Sequence, residues 1–251
     1  MDRGRRPEAP RGPRPPAAPA PKAPPVAKAG AGGHLSRERV VAAALAVVDR
    51  DGLDGLTMRA LGRELGVDPM ADYHHVPSKA AILQGVVEAI LAEIPVPSED
   101  AVMPWQDALR LIAREYRRVI LAHPNALPVV STQPVLTPAG LRLIEAAAAL
   151  LVRGGLTPAQ SLEAINGGAA AVIGSVLVEA GVTPGTEPIE QAEIESAYST
   201  LSPAEFPTIA TVLAEAGPAA FDPGSQFDAL ADAFVRGLEA RFADGAVARR
   251  S

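Results

Sequence analysis

Four histidines, His34, His74, His75 and His123, are spread through this 251-residue chain, and no cysteine accompanies them. Their spacing matches no metal-ligand pattern with a carboxylate or a second imidazole. The lack of Cys excludes a disulfide scaffold, a thiolate zinc site, an iron–sulfur cluster and a cysteine nucleophile. No Gly-x-Ser-x-Gly elbow is present, and no Gly-x-Gly-x-x-Gly loop follows a strand. Gly55-Leu56-Thr57 is not a phosphate loop. The residues therefore predict no enzyme, no cofactor and no metal site. What remains is recognition chemistry, in which hydroxyls, amides and cations meet a charged or hydrogen-bonding partner.

Composition narrows the partner. Lys and Arg number 23 against 29 Asp and Glu, a net charge of -6, so no global basicity marks a nucleic-acid binder. Aromatic residues make up 4%, too few for a carbohydrate groove or a multi-base stacking platform. The longest apolar run, Ala169 to Val178, ends at Glu179 and is too short to span a bilayer. The Arg- and Pro-rich start has no apolar core and does not read as a secretory leader. These features predict a soluble, cytoplasmic chain with no membrane partner.

The elements that must position the recognition groups are helical throughout. Residues 1–33 stand apart: seven Lys and Arg face only Asp2 and Glu8 among Pro, Ala and Gly. Such a segment cannot bury enough apolar surface to offset its ordering entropy, so a disordered basic tail is expected there. It is either a solvated tail or an arm drawn to phosphates by charge alone. Ser36 then reads as an N-cap, with Val40, Ala44, Val47 and Val48 at helical spacing, and Asp51-Gly52 as the stop. Thr57 caps a short helix bearing Met58, Leu61 and Leu65, and Gly66 ends it. Asp68-Pro69 starts a third helix running to about His75, and Pro77 closes it. Ser78 opens a fourth, carrying Ile82, Val86 and Ile90. Beyond a linker at about 95–104, helices are predicted near 105–122, 138–153, 158–180, 203–216 and 224–243, with a short piece near 125–131. No strand alternation persists, so the fold class is all-α.

Two short helices joined by Gly66-Val67 suit a helix-turn-helix, whose second helix enters the major groove. The run Leu56-Thr57-Met58-Arg59-Ala60-Leu61-Gly62-Arg63-Glu64-Leu65-Gly66-Val67, followed by Tyr73-His74-His75-Val76 and Ser78-Lys79, resembles the TetR family of one-component regulators. The resemblance covers about 60 residues, from Leu35 to Ile94. Downstream, Trp105-Gln106-Asp107, Ser131-Thr132-Gln133-Pro134 and the long 158–180 segment resemble the tetracycline-repressor-type C-terminal domain. The resemblance implies a helix-turn-helix DNA-binding domain over 34–94 and a larger ligand-binding and dimerisation domain over 104–245.

It also implies roles. Thr57 would cap near a phosphate, and Arg59 would reach a guanine edge or the backbone. Pro69, Met70 and Ala71, in the first turn of the recognition helix, would offer apolar contact to thymine methyls. Tyr73 and Lys79 match phosphate-contact positions, and His74 is a further groove or phosphate candidate. Each has a plainer reading as a cap, a packed ring or a solvated charge. Asp72 departs from the family's usual aliphatic residue, and Val76 marks that side as core-facing. His75 is a candidate partner for its carboxylate.

In the larger domain, Gly167, Gly168, Ala171, Gly174 and Ser175 are small residues that let another helix approach, either a symmetry mate in a homodimer or a helix of the same chain. The resemblance implies a small-molecule effector. His123 lies upstream of Thr132-Gln133-Pro134 at a spacing broadly like that of a metal-linked His in tetracycline repressors. The acidic metal-linked position after the long helix falls near Gly181, so no metal–tetracycline chemistry is expected. An apolar pocket is predicted instead, with His123, Asn125, Thr132, Gln133 and Asn166 as its polar candidates. The expected function is a ligand-responsive regulator, a repressor released from double-stranded operator DNA. The alternative is a ligand-binding dimer of the same fold with weak or lost DNA binding. Six Lys and Arg against nine Asp and Glu between His34 and Glu93 motivate it.

Overall fold

The computed structural model describes residues 36–67, 78–97, 103–133, 136–181, 191–216 and 222–247. The expected tail over 1–33 and the expected helix from Pro69 to His75 lie outside them. So do the candidate DNA contacts Pro69, Met70, Ala71, Tyr73 and His74, together with Asp72 and His75.

Among the described residues, the N-terminal part is built by α1 (Arg37–Gly55), α2 (Met58–Leu65) and α3 (Lys79–Ala92). The Ser36 hydroxyl accepts the Arg39 amide at 3.3 Å, satisfying one of the amides that a helix start leaves unpaired. Gly52 has φ 72° and ψ 179°, so helical geometry breaks at the expected stop, yet the chain resumes the helix for a last turn to Gly55. The Thr57 hydroxyl caps α2 through the Ala60 amide at 3.1 Å. Gly66, at φ 71°, ends α2 in the left-handed conformation that an L side chain resists. Val47, Val48, Leu61, Val86 and Ile90 are buried between these helices.

The larger part contains α4 (Trp105–Ala122), a 3-10 turn at Pro124–Ala126, α5 (Leu127–Thr132), α6 (Pro138–Arg153), α7 (Pro158–Ala180), α8 (Gln191–Ser199), α9 (Pro207–Ala216) and α10 (Pro223–Val247). The Thr137 hydroxyl caps α6. Thr157 and Gln160 cap α7 reciprocally, with each side chain bonded to the other's backbone amide. α4, α6, α7 and α10 pack on one another, and α3 lies against α6 and α4. One apolar core runs without interruption from Val40 and Val47 through Ile90 and Ile112 to Val172 and Phe227. The N-terminal helices and the body therefore share a core.

Three elements differ from expectation. α8 has no counterpart in the sequence reading, because its mostly polar residues carry no clear apolar stripe. α9 begins at Pro207 and not at Pro203: the amides of Glu205 and Phe206 both close on the Ser202 carbonyl, which makes a separate turn. The run Ala169 to Val178 belongs to a 23-residue helix long and apolar enough to cross a bilayer by length and composition. α7 nevertheless packs on α4, α6 and α10, and its Glu179 is ion-paired.

Candidate nucleic-acid interface and effector cavity

Three of the predicted DNA-contact residues fall on described elements, at the two ends of the 68–77 segment. Thr57 and Arg59 open α2, and Lys79 opens α3. All three are exposed, as is Arg63. Among the described residues the Arg59, Arg63 and Lys79 side chains enter no hydrogen bond or ion pair, so their charge is free for a phosphate. Arg50 differs. Its guanidinium is held at 3.0 Å by Asp51 and at 2.9 Å by Glu64.

The body carries a half-open cavity of about 400 Å³, within the size range of small-molecule sites. Its walls come from four helices: Leu91 of α3, Leu109, Ile112 and Tyr116 of α4, Leu143 and Ala147 of α6, and Ile165 and Val172 of α7. Asn166 also lines it and is exposed to solvent. Tyr116 is 6% exposed, and burial pushes its phenol pKa up to about 12.

The other four predicted ligand residues lie elsewhere. His123 caps the C-terminus of α4 and bridges back to the N-terminal part. Its Nδ1 lies 2.9 Å from Asp49 Oδ1 on α1, and its Nε2 lies 3.3 Å from Glu93 Oε1 at the end of α3. The Asp49 hydrogen bond, aided by the charges of Asp49 and Glu93, raises the imidazole pKa above its ordinary value against the opposing effect of burial. The two ring nitrogens serve carboxylates on opposite sides, so this trio does not present ligands to one metal ion. Asn125 donates its amide N–H to the Asp49 carbonyl at 2.9 Å. The exposed Thr132 hydroxyl donates to the Pro128 carbonyl at 2.6 Å, and the Gln133 amide closes on Val129. Nor does Glu179, near the end of α7, stand free as an acid: it makes a two-pronged ion pair with Arg117 at 2.6 and 2.9 Å.

Sequence reasoning predicted an apolar pocket but named neither Tyr116 nor the apolar residues that line this cavity. Their signal was the spacing Leu109, Ile112, Ala113, Tyr116 along one face of α4, with the charged Arg110, Arg114, Arg117 and Arg118 on other faces.

A short capped helix before a reading segment, free cations on both sides of that segment and an apolar cavity deeper in an all-α body define a one-component helix-turn-helix regulator. The chain belongs to the TetR family. The family model for bacterial regulatory proteins of the tetR family matches residues 40–86, and that for the tetracyclin repressor-like C-terminal domain matches residues 97–242. A curated HTH-type transcriptional regulator of Saccharopolyspora erythraea is 31% identical over 208 residues, covering 82% of this chain and 87% of that protein. The crystal structure of the Streptomyces coelicolor TetR family protein ActR with actinorhodin superposes at TM-score 0.69 and 27% identity, covering 83% of this chain and 98% of ActR. BioQ, solved with its double-stranded DNA operator, superposes at TM-score 0.51 and 27% identity, covering 59% and 88% of the two chains.

Proposed function

We propose that this chain is a homodimeric repressor that binds an operator through residues 34–94 and is released by a small apolar effector held in the body, residues 104–245. One observation carries the reading. α3 begins at Lys79 beside the DNA-reading segment and carries Leu91 near its other end into the cavity wall. A helix of 14 residues spans about 21 Å, so one rigid rod joins both sites. An effector that reshapes the cavity shifts the population toward dimers whose recognition helices no longer match the half-site spacing. A shift from mostly bound to mostly released requires about 5.5 kcal/mol of discrimination between the two states.

Dimerisation is supported by two adjoining stripes. Leu162, Ala170, Gly174, Leu177 and Val178 on α7 are exposed, as are Leu230, Ala233, Gly237 and Ala240 on α10. A Cβ at Gly174 or Gly237 would meet no atom within 4 Å, so both glycines leave room for a neighbouring backbone. Gly167 and Gly168 instead face the Phe234 ring of the same chain. The small-residue pattern on α7 thus serves two neighbours.

Thr57, Arg59, Pro69, Met70, Ala71, Tyr73, His74 and Lys79 are the proposed DNA contacts. Relatives of this chain are transcriptional regulators, and we read it as a non-enzymatic, cytoplasmic one. The test is binding of the purified protein to pooled genomic fragments at two salt concentrations, with Tyr73→Ala and Lys79→Ala as controls. Specific, salt-sensitive enrichment lost in both variants supports the operator-binding reading. No enrichment at low salt overturns it in favour of the second reading, a ligand-binding dimer with weak DNA affinity. The acidic balance of residues 34–93 and the tethering of Arg50 by two carboxylates favour that alternative. A strong gain in DNA binding for Asp72→Leu would mark the native headpiece as compromised.

A further inference from the structure

The cavity, taken as the effector site of the proposed function, has walls that specify more than a size, and the ligand chemistry they select rests on that reading. Among the described residues no Asp, Glu, Lys, Arg or His lines it, and the polar side chains in its wall are Tyr116 and Asn166. The cationic side chains of α4 are committed elsewhere. On α4, Arg110 is held at 2.6 Å by Asp232, Arg114 at 2.9 Å by Asp228, Arg117 by Glu179 and Arg118 at 2.8 Å by Glu115. Turning any of them toward the cavity would break an ion pair and leave a carboxylate alone. An anionic ligand would therefore be buried without a counter-charge, a cost of several kcal/mol for an isolated ion.

Of these two polar residues Tyr116 is the buried one. It is 6% exposed, yet its hydroxyl has no hydrogen-bond partner among the described residues. No side-chain nitrogen or oxygen sealed from solvent is left unpaired among those residues. The hydroxyl is therefore not sealed, and Tyr116 lines the cavity. A phenol raised to about 12 stays protonated at any physiological pH and serves as a neutral donor.

We infer that the effector is an uncharged, largely apolar molecule carrying a carbonyl oxygen that accepts the Tyr116 hydroxyl, with ionised and metal-chelating ligands excluded. Tyr116 is then the residue that sets specificity: the apolar walls supply affinity, and the phenol selects a carbonyl-bearing ligand over its hydrocarbon.

The test uses the full-length protein without DNA and three ring-matched probes: fluorene, fluorenone and fluorenone carboxylate. Each displaces the neutral fluorescent reporter N-phenylnaphthylamine. Fluorenone is expected to bind about 3- to 10-fold tighter than fluorene, the range of one net hydrogen bond. Tyr116→Phe is expected to erase that difference while leaving fluorene affinity unchanged, which also shows that the variant folds. Fluorenone carboxylate is expected to bind at least about 10-fold more weakly than fluorenone. Equal binding of fluorene and fluorenone to the native protein overturns the role of Tyr116, whatever the variant does. A carboxylate that binds as tightly as the ketone overturns the exclusion of charge. If neither the reporter nor any probe binds, the cavity is not an effector site, and both the inference and that part of the proposed function fall. Loss of operator binding alone leaves the probe result standing.

Discussion

The Glu88 carboxylate lies 2.8 and 3.0 Å from the backbone nitrogen of Ala139, accepting its N–H with both oxygens. Glu88 belongs to α3, the helix that starts at Lys79, and Ala139 is the second residue of α6, a wall of the cavity. The first amides of a helix have no partner within it, and its N-terminus favours negative charge. One side chain of the DNA-side rod thus holds the start of a cavity helix, with Arg142 3.7 Å from the same carboxylate.

Removing that side chain should loosen the joint. Glu88→Ala is expected to lower unfolding stability by about 1–2 kcal/mol, the cost of orphaning the amide of the buried Ala139 near a helix start. Hydrogen exchange in the first turn of α6 should quicken well before exchange at the centre of α7 does. Unchanged exchange at Ala139 would show that the contact does not hold the helix start.

His123 makes the junction between the N-terminal part and the body sensitive to pH. Its folded pKa is raised above 6.5, chiefly by the Asp49 hydrogen bond, so the folded state holds this proton more tightly than the unfolded chain. The resulting stabilisation is fully present below 6.5 and is lost as pH rises through the folded pKa. The urea midpoint of the native protein should exceed that of His123→Gln most at about pH 5.5, and the gap should shrink toward about pH 8.5. An imidazole titration by NMR with its midpoint below 6.5 would contradict the assignment.

Arg117 and Glu179 tie α4 to α7, each side chain about one-fifth exposed, and the guanidinium lies 5.1 Å over the Phe227 ring of α10. Breaking one partner should cost more than replacing both. Glu179→Ala is expected to destabilise by about 2–3 kcal/mol, whereas Arg117→Met with Glu179→Leu should cost distinctly less than the two single changes added. Additive losses in chemical denaturation would mean that the ions do not act as a pair.

Gly174 and Gly237 separate monomer folding from assembly. Neither would clash with a Cβ inside the chain, so Gly174→Arg with Gly237→Arg should keep full helicity and gain up to about 1 kcal/mol of helix propensity. In sedimentation at micromolar concentration the same variant should run as a monomer and lose operator binding. A dimer of native affinity would place the interface elsewhere.

Much of the helical architecture was legible because its signals are local. Ser36, Thr57, Ser78, Thr137 and Thr157 each cap the helix that comes after them. Gly66 ends α2 because a left-handed turn is needed there. These choices involve residues three or four apart, so the amino-acid order alone carries them, as does the helix-turn-helix resemblance around Thr57, Arg59 and Lys79. α8 escaped because a helix without a clear apolar stripe leaves no such trace.

The cavity is a different matter. His123, Asn125, Thr132 and Gln133 are the kinds of residue that line polar sites, yet the fold turns His123 and Asn125 toward Asp49, closes the Thr132 hydroxyl on its own helical turn and leaves Gln133 outside the cavity lining. Tyr116 looks like one more core aromatic until α3, α6 and α7 complete a cavity that it lines with its hydroxyl unsealed. Local sequence specifies which face of a helix is apolar. Whether that face meets another side chain or an empty volume depends on helices far apart in the chain, so the cavity exists only once the tertiary packing is complete.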